Sequence, residues 1–307
     1  MSRSIYKQIV SLLALVVIVL SLVKCSTDNA DVSSLTLGIT DAPVDEAEKI
    51  VIEFTGVELE KSTGEKHQID FASHHDIDVL ALHDGKKHHL LDQEAIAAGC
   101  YEAVHLKVNA DPSTTHNSHY IHTSGAHYPL HLDKADEDKL RVAHHFCMGV
   151  GETKDFTMHF NLRESVHCDP VQQECAMKPV LSLVDNSLAG SISGEVHASL
   201  IDINNPACSG GNVVYVYKGH DVIPDDVHHD IHDHHDHTDA ATSAHVKHDP
   251  DSGKYLYKAA FLHEGDYTVA FTCHAVDDHP ETHETIDFSA SANVSFVAGH
   301  EARHDFQ

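Results

Sequence analysis

Tryptophan is absent from the 307 residues, and arginine occurs only at positions 3, 141, 163 and 303. Without tryptophan, an aromatic platform for a sugar or a base would have to be built from Tyr or Phe. Lys and Arg together number 20 against 48 Asp and Glu. A chain so poor in cations has no basic patch to neutralise phosphates, so no nucleic-acid partner is expected. Catalytic signatures are missing as well. There is no C-x-x-C or C-x-x-C-H for thiol redox or haem attachment, and no H-E-x-x-H, G-x-S-x-G or Walker loop. The nearest look-alike of the zinc-protease motif, His279-Pro280-Glu281-Thr282-His283, does not fit it. Carboxylates are so common that no pair of them points to glycoside hydrolysis. The chain is expected not to be an enzyme. Histidine is the residue in excess: protonating all 32 would carry the formal charge from −28 to +4, so moderate acid nearly neutralises the surface.

Long apolar runs are also scarce. One occurs, Ile9 to Val23, behind the cations Arg3 and Lys7. It is shorter than the ~20 residues of a spanning helix, and a charged start before such a run reads as a secretory signal. The following Leu22-Val23-Lys24-Cys25 resembles a bacterial lipoprotein lipobox, which implies lipid on Cys25 and removal of residues 1–24. Lys24 departs from the pattern, where Gly, Ala or Ser is usual. Ser26 is not the Asp that retains many lipoproteins in the inner membrane. The expected location is therefore the cell envelope, anchored through lipid to the outer membrane rather than the inner.

Beyond a linker at residues 25–33, the chain reads as strands. Leu35, Leu37 and Ile39 alternate with polar or small residues, as do Ile50, Ile52 and Phe54, and Phe156, Met158, Phe160 and Leu162. Period-two patterning marks half-buried strands. Regular short strands divided by turn residues point to an all-β chain of two β-sandwich domains in tandem, immunoglobulin- or prealbumin-like, after the N-terminal signal. One helix is expected, over Leu90 to Ala98 and closed by Gly99.

Particular runs carry a resemblance. Leu35-Thr36-Leu37-Gly38-Ile39-Thr40-Asp41-Ala42-Pro43-Val44-Asp45 is followed by Phe54-Thr55-Gly56-Val57-Glu58-Leu59 and Ala98-Gly99-Cys100-Tyr101 to Asn109. Together these are similar to a bacterial lipoprotein family of unknown function, the domain of unknown function 4382 type. The resemblance covers residues 34–187 and implies an extracytoplasmic all-β domain with no assigned activity. The later Ser191-Ile192-Ser193-Gly194-Glu195-Val196 and Gly265-Asp266-Tyr267-Thr268-Val269-Ala270-Phe271 resemble the carboxypeptidase-regulatory or prealbumin-like sandwich, here residues 188–307. That resemblance implies a supporting or binding module.

With Cys25 set aside for lipid, six cysteines remain: Cys100, Cys147, Cys168, Cys175, Cys208 and Cys273. An even number fits disulfides in an oxidising compartment, and sequence alone does not choose their pairing. Locality suggests Cys168–Cys175, shared domain suggests Cys208–Cys273, and Cys100–Cys147 is left.

The segment 225–239 holds six histidines, six aspartates and no Lys or Arg. The expected ligands are His228, His229, His232, His234, His235 and His237, with Asp230, Asp233 and Asp236 as oxygen donors or as orienting partners. Imidazole suits zinc first, with copper or nickel as alternatives, and neighbouring carboxylates can hold the outer ring N–H of a ligating histidine. The main functional reading is thus an envelope lipoprotein that binds a divalent transition metal. The alternative is a surface adhesion or scaffold module with incidental histidines. A second, weaker histidine site is expected on a hairpin turning at Ser124-Gly125, with His122 opposite His127, His131 on the same face, and His119 on the other.

Overall fold

A computed structural model describes residues 31–42, 47–111, 113–114, 117–169, 171–201, 208, 211–227, 240–279 and 284–307. Cys25 and the expected metal ligands at 228–237 lie outside the described residues.

The first half contains β1 (Val32–Ala42), β2 (Ala47–Lys61), β3 (Lys66–Asp78), β4 (His88–Ala97), β5 (Gly99–Asn109), β6 (His119–His122), β7 (His127–Leu132), β8 (Arg141–Met148) and β9 (Thr153–Asn161). A single helical turn, α1 (Leu162–Ser165), leads to β10 (Val166–Asp169), β11 (Glu174–Met177) and β12 (Leu181–Asp185). One sheet has the order β12-β9-β1-β4; the facing sheet has the order β10-β11-β7-β6-β2-β5-β8, with β3 also paired to β2. The alternating residues of β1 (Leu35, Leu37, Ile39), of β2 (Ile50, Ile52, Phe54) and of β9 (Phe156, Met158, Phe160) meet in one buried core between these sheets.

Strand β2 changes its inward parity midway. Ile50, Ile52 and Phe54 face the core, and beyond the register shift at Phe54/Gly56 the inward residues are Val57 and Leu59. An extra residue in one strand does this. Gly56 is required there because β3 passes close: a Cβ would lie 2.5 Å from the Ile69 carbonyl oxygen.

The expected helix at Leu90–Ala98 is instead strand β4, antiparallel to β1. Its Leu and Ala content favours helix weakly, and sheet pairing overrides that preference. The pairing passes from Leu37↔Leu91 to Gly38↔His89, so Leu90 is an extra residue. Leu90 and Leu91 are therefore both buried although adjacent, and that break in the alternation hid the strand.

The hairpin forms, one residue out of the expected register. Ile121 pairs with His127, Tyr120 with Tyr128 and His119 with Pro129. A one-residue shift moves a side chain to the opposite face. Tyr120 and Tyr128 stack on the core side with ring centroids 6.0 Å apart. His119, His127 and His131 therefore share the outer face, and His122 does not. His122 serves the turn: its Nδ1 accepts from the Ser124 backbone N–H at 3.0 Å.

The second half contains β13 (Ala189–Val196), β14 (Val213–Lys218), β15 (Thr242–His245), β16 (Lys247–Asp249), β17 (Lys254–His263), β18 (Gly265–Thr272), β19 (Ala290–Phe296) and β20 (Glu301–Arg303). Two four-stranded sheets, β16-β17-β13-β20 and β15-β14-β18-β19, enclose a core of Ile192, Val214, Val216, Val269 and Phe271. The outer face of β14 is buried too. Val213, Tyr215 and Tyr217 pack there with Val227, Ala240, Ala270 and Ala275, so β14 reads as a continuous apolar run.

Disulfides join Cys100 to Cys147 across β5 and β8, Cys168 to Cys175 across β10 and β11, and Cys208 to Cys273 in the second sandwich. No helix among the described residues is long and apolar enough to cross a membrane.

Candidate functional site

Polar chemistry is concentrated in three places. The first is the junction of the two sandwiches. His159 sits on β9 between the core residues Met158 and Phe160, pointing away from the first core. Its Nε2 is 3.1 Å from both the Ala260 and Phe261 carbonyl oxygens of the second sandwich. Both partners are acceptors, so Nε2 carries the hydrogen. A bulge in β17 supplies these carbonyls. Leu262 pairs with Gly190 and Ala260 with Ser191, leaving Phe261 extra with φ 55°. Desolvation of the ring is the main reason that the His159 pKa falls to about 4; the bonds to the Phe261 and Ala260 carbonyls oppose the fall, and His263 adds to it. The Lys87 ammonium lies 5.7 Å from the Phe261 ring centre, and Lys247 Nζ is 2.9 Å from Asp84 Oδ2.

Arg163, on α1, crosses the same junction. It is 5% exposed, donates through Nη1 to the Ala275 carbonyl at 3.1 Å and lies 5.7 Å from the Tyr215 ring centre. Tyr215 donates its hydroxyl proton to Asp278, whose other oxygen accepts from the Val227 N–H at 3.0 Å. Burial raises the Asp278 pKa, while the Tyr215 hydrogen bond and Arg163 oppose that shift.

The second place is the base of the His/Asp-rich segment. Val227 and Ala240, the described residues flanking 228–239, pack in one cluster on the outer face of β14. Beside them, Asp226, Asp278 and Glu284 bring carboxylate oxygens within 4.8 Å of one another. The cluster is internally bonded: Asp226 Oδ2 accepts from the Glu284 N–H at 2.6 Å. Two further groups have metal-ligand composition, Cys100 with His145 and Cys147, and Cys208 with Cys273 and His274. In both, the sulfurs are spent in disulfides.

The third place is the outer face of the first sandwich. Glu53 is fully buried there although it points away from the core. One of its oxygens accepts from Asn109 Nδ2 at 2.8 Å, the other contacts His74 Nδ1, and its backbone N–H donates to Ser118 Oγ at 3.1 Å. Nearby, a groove of about 850 Å³ is lined by His105, Lys107, His131 and Glu174, and His131 Nε2 lies 3.6 Å from Glu174. On the hairpin, the His119 and His127 rings stack with centroids 6.2 Å apart.

Sequence reasoning missed His159, Arg163, the Glu53–His74 pair and the carboxylates around Asp278. His159 occupies an outward position in a strand pattern, and nothing local says that a second sandwich covers it. The rarity of arginine was the available signal for Arg163.

The class of protein is thus an all-β chain of β-sandwiches with disulfide staples. Residues 32–179, which form most of the first sandwich, match the family model described as domain of unknown function DUF4382. No curated protein matches the chain. Among solved structures, the Bacillus anthracis TIE protein matches at 8% identity and TM-score 0.20, over 90% of this chain and 34% of that one. The minor pilin GBS52 of Streptococcus agalactiae matches at 13% identity and TM-score 0.19, over 88% of this chain and 94% of the pilin. The fimbrial anchor protein Mfa2 of Porphyromonas gingivalis matches at 10% identity and TM-score 0.17, over 80% of each chain. The chain spans about a third of the TIE protein's length.

Proposed function

We propose that the chain is a non-enzymatic adhesion or scaffold module of the cell envelope, lipid-anchored through Cys25, in which two sandwiches act as one unit. The observation that carries this reading is the junction. Arg163 and His159 of the first sandwich donate to three backbone carbonyls of the second. An inter-domain interface without buried specific bonds permits relative motion. A guanidinium bonded across the junction opposes separation by about 1.5–3 kcal/mol net, because parting the domains exchanges its charge-assisted hydrogen bond for bonds to water. The disulfides add resistance within each sandwich. The test is complementation of a deletion strain with wild-type chain or with an Arg163→Ala, His159→Ala variant present at equal surface level. Wild type restores attachment of cells under flow, and the junction variant does not. Attachment unaffected by the deletion itself sinks the reading.

Metal binding by residues 228–237 is the second reading. It is supported by the pinning of Val227 and Ala240 in one apolar cluster. Holding both ends together lowers the entropy cost of ordering the segment around an ion. Zinc is the first candidate, copper and nickel the others. Replacing all six histidines there by Asn, with every Asp kept, separates coordination from charge attraction. Zinc affinity that survives this change rules out a coordination site.

A further inference from the structure

The hairpin β6–β7 carries a feature that neither reading uses. In the observed register, His119 and His127 stand diagonally across the strand pair on its outer face, rings 6.2 Å apart and 25° from parallel. His119 Nδ1 lies 3.1 Å from the Asn117 carbonyl oxygen. A carbonyl only accepts, so the hydrogen sits on Nδ1 and the lone pair on Nε2. A second-sphere carbonyl fixing the tautomer in this way is the usual arrangement behind a ligating histidine. Neither nitrogen of His127 makes a hydrogen bond with the described residues. Beneath them the stacked Tyr120–Tyr128 pair is buried, which makes the hairpin a firm support.

We propose that His119 and His127 form a two-imidazole chelate for a late divalent transition ion, with Cu²⁺ bound ahead of Ni²⁺ and Zn²⁺. Two nitrogens bonded to one ion at about 2.0–2.1 Å hold their rings about 5 Å apart, centroid to centroid. The observed 6.2 Å is about 1 Å wider, a gap that rotation of the two side chains has to close when the ion binds. Preference for copper follows from the general order of stability for nitrogen ligands, with water completing the coordination. The pair uses no thiolate, so it operates in the oxidising surroundings that the disulfides require. His131 lies on the same face but four residues along β7. His122 is committed to the turn through Ser124. Both are therefore internal controls.

The experiment uses the full chain with the six histidines of 228–237 replaced by Asn, so that this segment contributes no binding. Cu²⁺ is titrated calorimetrically at neutral pH, and the one-equivalent sample is read by electron paramagnetic resonance. The expected result is a one-to-one site with hyperfine coupling to two imidazole nitrogens. His119→Asn and His127→Asn each weaken it at least about tenfold and lose one nitrogen from the spectrum, whereas His131→Asn and His122→Asn change affinity less than about twofold. Thermal unfolding with and without Cu²⁺ guards against a folding defect: the ion raises the midpoint of the parent and of the controls, and not that of the two site variants. If His119→Asn and His127→Asn bind no worse than the controls, or if the spectrum of the parent is unchanged in them, the pair is not a metal site.

Discussion

Acid should loosen the junction between the sandwiches, and His159 sets how much. In the unfolded chain a histidine takes up its proton near pH 6.5. In the folded chain His159 does so only near pH 4, because protonation must occur in a desolvated site. Between these values the unfolded state binds the extra proton, so stability falls as pH drops. His159's contribution is fully present above about pH 6.5 and is lost on the way down to pH 4, by about 2 kcal/mol at pH 5 and about 3 kcal/mol at pH 4. The chain holds 32 histidines, so the pH dependence of wild type alone cannot isolate the effect. The measurement is therefore a double difference. Wild type and His159→Gln are unfolded in urea at pH 7 and at pH 5, followed by far-UV circular dichroism since tryptophan is absent. The Gln amide can still donate to Ala260 and Phe261 but does not titrate. Wild type should lose about 2 kcal/mol more than the variant between the two pH values. A difference below about 0.5 kcal/mol, the usual error of additivity, refutes the assignment of His159 as a desolvated, neutral junction residue.

Four further outcomes are expected. Gly56→Ala should destabilise the first sandwich by about 1–3 kcal/mol, since the new methyl group meets the Ile69 carbonyl at 2.5 Å and overpacking carries that cost; thermal unfolding measures it. Non-reducing peptide mapping should recover Cys100–Cys147, Cys168–Cys175 and Cys208–Cys273, and replacing Cys208 and Cys273 together by Ala should cost about 2–5 kcal/mol. Cys25→Ser should move the protein from the membrane fraction to the soluble periplasmic fraction, and wild type that is already soluble contradicts lipidation. Zinc binding to 228–237 should weaken from neutrality downward and be largely gone by about pH 5, because protons compete for the imidazole nitrogens; equal binding at pH 5 and 7 in a calorimeter speaks for charge attraction instead.

What the sequence determined by itself is what local periodicity and composition encode. Inward alternation at Leu35-Leu37-Ile39, Ile50-Ile52-Phe54 and Phe156-Met158-Phe160 defined the all-β class, since each strand must bury one face whatever its partner. The histidine excess and the 225–239 segment were equally plain, being matters of composition. Tertiary structure decided the rest, where a residue's role depends on a distant segment. Leu90–Ala97 is a strand because β1 offers it hydrogen bonds and apolar neighbours, against its own mild helical preference. The hairpin register followed from stacking Tyr120 on Tyr128 in the core, and that one-residue choice exchanged His122 for His119 beside His127. His159 and Arg163 looked like ordinary outward positions. They became junction residues only because carbonyls more than a hundred residues further along the chain pack against them, and no local pattern carries a contact of that separation.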